Sequence, residues 1–118
     1  MQNSIIYVTF VIEIREYLRN DNSSPFSEWF NSLNSQAAAK VTAYLIRIEG
    51  GNTSSLKSIG AGVFESRIHW GPGYRIYFGL EGNNIMILLG GGTKKQQQRD
   101  ISVAKELWEE YKERKKTK

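Results

Sequence analysis

The chain has 118 residues, a formal charge of +4, 40% hydrophobic residues, one histidine and no cysteine, and this length fits a single domain over residues 1–118. The absence of cysteine excludes disulfide frameworks, thiolate zinc sites and cysteine nucleophiles, and a lone histidine leaves no histidine-based metal cluster and no Ser-His-Asp triad. No apolar run approaches the ~18–20 residues of a membrane span and no signal peptide is evident, so we expect a cytoplasmic protein.

The first half of the chain predicts one strand followed by two helices. Residues 5–14 are rich in β-branched and aromatic side chains, which is typical of a strand. A serine and a proline at residues 24–25 are a typical helix start, and apolar side chains at helical spacing follow through residue 33. A second run with that spacing covers residues 36–49 and ends at a pair of glycines, which predicts a helical hairpin.

The second half predicts a meander of strands and a final helix. Alternating polarity indicates half-buried strands, and an unbroken apolar run indicates a strand covered on both faces. The predicted elements are a loop at 52–62, strands at 62–70, 74–80 and 85–90, a loop opened by the glycines at 90–92, and a helix at 93–115. The order β-α-α-β-β-β-α predicts an α+β domain with its helices on one face of a small, mostly antiparallel sheet. Residues 112–118 are expected to be a frayed basic tail.

Positive charge is concentrated in two parts of the chain. Residues 50–100 carry six bases and three acids, and residues 112–118 carry five bases and one acid. This distribution favours a phosphate-rich partner. For the tail alone, a solubilising helix end with cations near the helix C-terminus remains the alternative.

The central hairpin predicts a pair of opposed arginines. A register that places Arg67 opposite Arg75 sends every apolar side chain to the core and both arginines to the other face, and a one-residue slip would bury the charges. Opposed like charges are destabilising by up to ~1 kcal/mol, so we predict that the two guanidiniums form a phosphate site that is vacant until the anion binds. The alternative is a salt bridge from Glu65 to one of them. The phosphate interpretation requires that they neither point apart nor each pair with a carboxylate.

Other polar residues are expected near this pair. Lys94 and Lys95 lie where the last strand leads into the final helix, where free N–H groups and the helix dipole favour an anion. His69 and Tyr77 share the polar face of the hairpin by parity, so either can stack on a base or exchange a proton. For His69, an exposed bystander near the turn is the alternative.

The segments FSEWFNSL, LKSIGAGVFESRIHWGPGYRIYF and ILLGGGTKKQQQRDISVA resemble, in this order, the RelE/ParE superfamily of toxin–antitoxin killer proteins, in its HigB-like, phage-related branch. The resemblance implies a RelE-like α+β fold. It also implies a toxin that enters the ribosomal A site and cleaves mRNA to a 2′,3′-cyclic phosphate, without a metal or other cofactor. The implied partner is a cognate helix-turn-helix antitoxin.

On the matching positions, the resemblance implies basic site residues at Lys57, Arg67, Arg75 and Lys94, with Gln98 and Asp100 in the helix-start motif. We take Arg67 and Arg75 as candidates for charge stabilisation and Lys57 or Lys94 as the candidate base. The candidates for RNA contact are His69, Tyr77, Lys95 and Gln98. Tyr111 lies on the apolar stripe of the final helix and is not assigned to catalysis.

Two alternatives to RNA cleavage remain. A ParE-like toxin would poison DNA gyrase by binding, without chemistry of its own, and an inactive toxin would act only as the co-repressor of its antitoxin. The superfamily shares one fold across these activities, so fold class does not decide between them. The clustering of bases on one sheet face favours RNA cleavage.

Overall fold

The computed structural model describes residues 12–117. The elements in chain order are β1 (Glu13–Glu16), α1 (Pro25–Asn31), α2 (Ser35–Glu49), β2 (Leu56–Gly60), β3 (Val63–Ile68), β4 (Tyr74–Glu81), β5 (Ile85–Thr93), a 3-10 turn (Lys94–Gln96) and α3 (Gln97–Lys116). The strand predicted at residues 5–14 lies largely outside the described residues, and its last two residues belong to β1.

The five described strands form one mixed sheet in the order β1-β5-β4-β3-β2. The pairings of β2 with β3, β3 with β4 and β4 with β5 are antiparallel. The pairing of β1 with β5 is parallel and places Glu13 opposite Ile85. The predicted α+β class with a mostly antiparallel sheet is therefore confirmed.

The helical hairpin follows the predicted signals. The Ser24 hydroxyl accepts a hydrogen bond from the Ser27 amide, and Pro25 occupies the first helical position, where its missing N–H costs nothing. Asn34 caps α2 in the same way, through a hydrogen bond from the Ala37 amide. The helix ends at Gly50, as the sequence predicted.

One predicted loop is a strand. Leu56–Gly60, placed in a loop by its serine and glycine content, forms β2 at the edge of the sheet and pairs with β3. Only Leu56 and Ile59 of this strand are half-buried, and its other residues are exposed. A polar edge strand carries little of the alternation that identifies a strand in sequence, and this explains the error.

The triple glycine was also assigned wrongly. Gly90, Gly91 and Gly92 belong to β5, which runs on to Thr93 before the 3-10 turn. A Cβ atom at Gly91 would overlap the Trp29 ring, and one at Gly92 would overlap the Asp100 carboxylate. Gly91 and Gly92 therefore allow helices to approach the strand closely, and the glycine run does not open a loop.

Helices cover both faces of the sheet, and the prediction that they cover one face is wrong. One hydrophobic core packs α1 and α2 against Ile68, Ile76 and Phe78. A second core lies on the opposite face, where Ala104 and Trp108 of α3 pack with residues that include Val63, Tyr77, Ile87 and Leu89. The strand β4 is buried on both faces because it lies in the middle of this sandwich.

The basic end of the chain, where the sequence predicted a frayed tail from residue 112, is helical through Lys116. The Arg114 guanidinium donates to the Leu18 carbonyl oxygen and to the Tyr17 hydroxyl. Lys115 Nζ lies 2.9 Å from a carboxylate oxygen of Glu81. These contacts with β4 and the segment after β1 hold the end of α3 against the sheet. None of the described helices combines the length and apolar character that crossing a bilayer requires.

Candidate active site

The hairpin register is the one that the sequence predicted. Arg67 pairs with Arg75, Phe64 with Phe78 and Ile68 with Tyr74. Because side chains alternate along a strand, both arginines lie on the sheet face that α3 covers.

A pocket of about 160 Å³ opens at the turn end of this hairpin. Four of the predicted site residues line it, namely Arg67, His69, Arg75 and Lys94. The rest of the lining is Ile68, Gly73 and Tyr74. The side chains of His69 and Lys94 are exposed, Arg67 is half-buried and Arg75 is buried. Residues from two strands and the 3-10 turn thus bring basic groups around one small opening.

The turn itself sets this geometry. Gly71 and Gly73 have φ of 57° and 77°, in the left-handed region that glycine adopts at low cost. The Gly73 amide donates to the Trp70 carbonyl oxygen at 3.1 Å and closes the turn. The Gly73 carbonyl oxygen accepts from the Lys94 amide at 2.8 Å, so the start of the 3-10 turn is tied to the hairpin end.

The two guanidiniums are not vacant, which corrects the prediction. Arg67 Nε donates to Glu65 Oε1 at 2.7 Å, and Arg75 Nε lies 3.7 Å from Glu65 Oε2. Gln97 Nε2 also donates to Oε2, at 3.2 Å. The salt-bridge alternative therefore holds, and in a wider form than predicted, because one carboxylate contacts both arginines.

One carboxylate between two guanidiniums leaves the cluster with a net charge of +1, and Lys94 at the rim adds another positive charge. The Glu65 side chain is 0% exposed, the Arg75 side chain 7% and the Arg67 side chain 38%. The carboxylate is thus sealed beneath the arginines, while Arg67 reaches the solvent side of the pocket. The condition set from the sequence, that the two arginines not each pair with a carboxylate, is met only in part, because both contact Glu65 but share that one carboxylate. The pair therefore keeps a positive charge, and Arg67 can bind an anion through its Nη atoms while its Nε stays with Glu65.

Tyr77 does not belong to this surface, and its assignment as an RNA contact is wrong. Its side chain is buried in the core beneath α3, so no base can stack on it. Tyr77 and Asp100 both line a separate cavity of about 100 Å³, and neither Tyr77 Oη nor Asp100 Oδ2 has a hydrogen-bond partner among the described residues. Burial, followed by the nearby Glu65 charge, holds the pKa of Tyr77 well above its ordinary value.

Three further predicted residues lie outside the pocket lining. Lys57 is exposed on the edge strand β2, directly opposite Glu65 in the sheet. Lys95 and Gln98 are exposed where the 3-10 turn leads into α3. All three are near the pocket elements in sequence or register, and their proposed contacts with RNA or a reacting group remain predictions.

The sequence analysis did not predict Gln97 as a site residue, and it gave Glu65 only as a salt-bridge partner of one arginine. The strand parity of Glu65 already placed it on the same face as both arginines, so its central position was available from the alternation. Nothing in the polyglutamine run distinguished Gln97 from its neighbours, because that choice depends on where α3 begins. Within residues 12–117, no three histidine, aspartate or glutamate side chains are grouped as potential metal ligands.

The sequence comparisons include a family match that covers the part of the chain that forms the pocket. The model of the phage-derived protein Gp49-like family (DUF891) matches residues 28–113, which contain the whole pocket. An uncharacterized protein of Haemophilus influenzae is 42% identical over 86 residues, which are 72% of this chain and 87% of that protein. The Gp49-like family is associated with toxin–antitoxin toxins of the RelE superfamily. The chain therefore belongs to the Gp49-like family of phage-derived proteins, a family of toxin–antitoxin killer proteins.

Proposed function

We propose that this protein is a HigB-like toxin of a type II toxin–antitoxin system that cleaves mRNA in the ribosomal A site. The observation that carries the proposal is the convergence of Arg67, Arg75, Lys94 and His69 on one pocket of about 160 Å³. A pocket of this size and charge suits one phosphodiester group. Family membership supports the toxin role, and a cognate helix-turn-helix antitoxin is the expected partner in the cytoplasm.

The proposed reaction is transfer of a phosphodiester within the RNA. The 2′-hydroxyl oxygen forms a bond to the adjacent phosphorus while the bond from phosphorus to the 5′ oxygen breaks, giving a 2′,3′-cyclic phosphate and a free 5′-hydroxyl. One proton leaves the 2′-hydroxyl and one proton reaches the departing 5′ oxygen, so the reaction is balanced without another reactant.

The pocket residues fit the demands of this reaction. Arg67 and Arg75 are suited to stabilise the negative charge that develops on the phosphorane-like oxygens, because guanidiniums stay charged and donate in parallel pairs. Lys94 and His69 lie at the exposed rim, where an ammonium or an imidazole can exchange a proton with the RNA. The ribosome would hold the mRNA in line, which a small open pocket cannot do alone.

The decisive experiment replaces the arginines one at a time. Arg67→Ala and Arg75→Ala should each abolish growth arrest and lower mRNA cleavage by ribosome complexes about 10²–10³-fold, because charge stabilisation is lost. Both variants should stay folded and bind the antitoxin. The matched control is Arg99→Ala, which removes an exposed arginine of α3 that does not line the pocket. Growth arrest that persists in both pocket variants would contradict the proposal.

The target is tested in the same cells. Primer extension on mRNA after induction should show new 5′ ends, while gyrase supercoiling activity stays normal. Intact mRNA with loss of supercoiling would replace the proposal with a gyrase-poisoning toxin. Expression without growth arrest would indicate a homologue that acts only with its antitoxin as co-repressor.

A further inference from the structure

We propose that Glu65 is a positioning residue that aims the two arginines at the scissile phosphate. This inference rests on the proposed function and assigns a role to a carboxylate that does not itself reach the RNA. The Glu65 side chain is fully buried, so it acts through the side chains that contact it.

Each carboxylate oxygen of Glu65 has its own partner. Oε1 accepts from Arg67 Nε at 2.7 Å, and Oε2 accepts from Gln97 Nε2 at 3.2 Å. Arg75 Nε approaches Oε2 at 3.7 Å, an ion-pair contact longer than a hydrogen bond. A buried carboxylate is costly unless it is paired and hydrogen-bonded, and here both conditions are met.

The bond to Arg67 fixes one edge of a planar group. With Nε held by Glu65, the plane of the guanidinium is set, and its two Nη atoms keep their outer hydrogens for another acceptor. Within residues 12–117, these Nη atoms donate no hydrogen bond, and 38% of the side chain is exposed. Arg67 can therefore hold Glu65 with one donor and bind a phosphate with the others.

The charge of Glu65 is equally part of this role. Arg67 and Arg75 are directly opposed on neighbouring strands, and like charges in that position repel. The shared carboxylate offsets the repulsion and keeps both guanidiniums at the same wall of the pocket. A neutral residue there would leave a more positive pocket with less well-directed arginines.

The added positive charge and the loss of positioning should change RNA binding and the rate of the chemical step in different directions. A pocket with one more positive charge should attract RNA at least as well, whereas misdirected arginines should stabilise the transition state less well. A residue that only stabilises the fold would instead lower thermal stability, binding and cleavage together. The separation of binding from the chemical step therefore distinguishes positioning from a structural role.

The test measures single-turnover cleavage of mRNA in ribosome complexes with increasing toxin. For Glu65→Gln we expect the saturating rate to fall at least tenfold, while the toxin concentration for half-maximal rate stays the same or decreases. Gln97→Ala leaves every charge in place and should lower the saturating rate about threefold. The matched control is Glu106→Gln, since Glu106 is exposed on α3 and has no ion pair among the described residues, and it should behave as wild type.

If Glu65→Gln does not fold, Gln97→Ala carries the test, because it removes a hydrogen bond to Glu65 and leaves every charge and both arginines in place. Wild-type saturating rates in the folded Glu65 and Gln97 variants would overturn the inference. That result leaves the proposed function standing as long as Arg67→Ala and Arg75→Ala are inactive, whereas activity in both of those variants would overturn the proposed function itself.

Discussion

The two sides of the sheet are built differently. On the side of α1 and α2, the packed residues are almost all hydrophobic, and the buried polar groups Ser24 and Ser66 have hydrogen-bond partners. On the side of α3, hydrophobic residues share the interior with charged and hydroxyl groups. Each of the four buried side-chain atoms that have no partner among the described residues lies on that side: Arg75 Nε, Tyr77 Oη, Asp100 Oδ2 and Arg114 Nε.

The α3 side of the sheet is therefore the side on which the interior is not purely hydrophobic. Buried polar groups are normally paired, and unpaired ones in a native structure call for an explanation. Here they accompany the one face that carries the arginine pocket. The α1 and α2 side provides the stable scaffold, and the α3 side accepts polar groups that a scaffold alone would avoid.

Three glycines of the sheet test whether the two sides differ in packing as well as polarity. Gly91 faces the Trp29 ring on the α1 side, and Gly79 faces the Trp108 ring on the α3 side, so an added Cβ would overlap a ring in each case. We expect Gly91→Ala and Gly79→Ala to lower the free energy of unfolding by about 1–3 kcal/mol each, measured by chemical denaturation. A much smaller effect at Gly79 would mean that the α3 side is loosely packed.

Gly90→Ala is the control for this pair. No atom lies within 4 Å of a Cβ added at Gly90, although the residue is in the same strand as Gly91. Its free energy of unfolding should therefore change by less than about 0.5 kcal/mol. A large loss would show that glycine is needed in β5 for reasons other than the tryptophan ring.

Asp100 allows the polarity of the α3 side to be tested by pH. Burial raises the pKa of Asp100 above its ordinary value of 3.8, and the nearby Arg99 offsets part of that effect. The folded state thus holds this proton more tightly than the unfolded chain. The contribution to stability is complete below the unfolded pKa and is lost as the pH rises through the folded pKa.

Replacing this carboxyl group should therefore raise the free energy of unfolding only at a pH where the carboxyl group is ionised. Asp100→Asn should raise the free energy of unfolding by about 1 kcal/mol at pH 7, and the difference from wild type should disappear below the ordinary pKa. Denaturation curves at pH 7 and pH 3 measure this. A gain that is the same at both pH values would show that ionisation of Asp100 is not its cause.

Tyr77 tests whether the cavity that it lines is separate from the arginine pocket. Tyr77→Phe removes a buried hydroxyl without a partner in the described residues, so the free energy of unfolding should rise by up to about 1 kcal/mol. Cleavage of mRNA should stay at the wild-type rate, because Tyr77 does not line the arginine pocket. A loss of cleavage in a stable variant would show that Tyr77 contributes to the reaction.

The sequence predicted the parts of the fold that depend on local patterns. The starts of α1 and α2, the hairpin register and the meeting of Arg67 with Arg75 follow from caps, turns and alternation. The last helix, predicted from residue 93, begins only at Gln97 after a 3-10 turn, and no side-chain cap marks its start. The second core was missed because the alternation of β3 and β4 indicates one apolar face and one polar face. Tyr77 and Glu65 belong to the face that was read as polar, and only the tertiary position of α3 shows that it is buried.

The glycine run and the edge strand were missed for a related physical reason. A glycine under a tryptophan ring looks the same in sequence as a glycine in a flexible loop, since the difference lies in what approaches it. The strand β2 owes its form to its neighbour β3 and not to its own composition. Both features are decided by contacts between distant residues, which a single sequence does not record.

The parallel pairing of β1 with β5 has a consequence for how the protein is made. Ile85 is synthesised long after its neighbour Glu13, so among the described strands β1 has no partner until β5 has emerged. Contacts between such distant residues slow folding. The described sheet is therefore completed only after β5 has been synthesised, and a nascent chain that stops before β5 lacks the strand that joins β1 to β4 and also lacks Lys94, which follows β5.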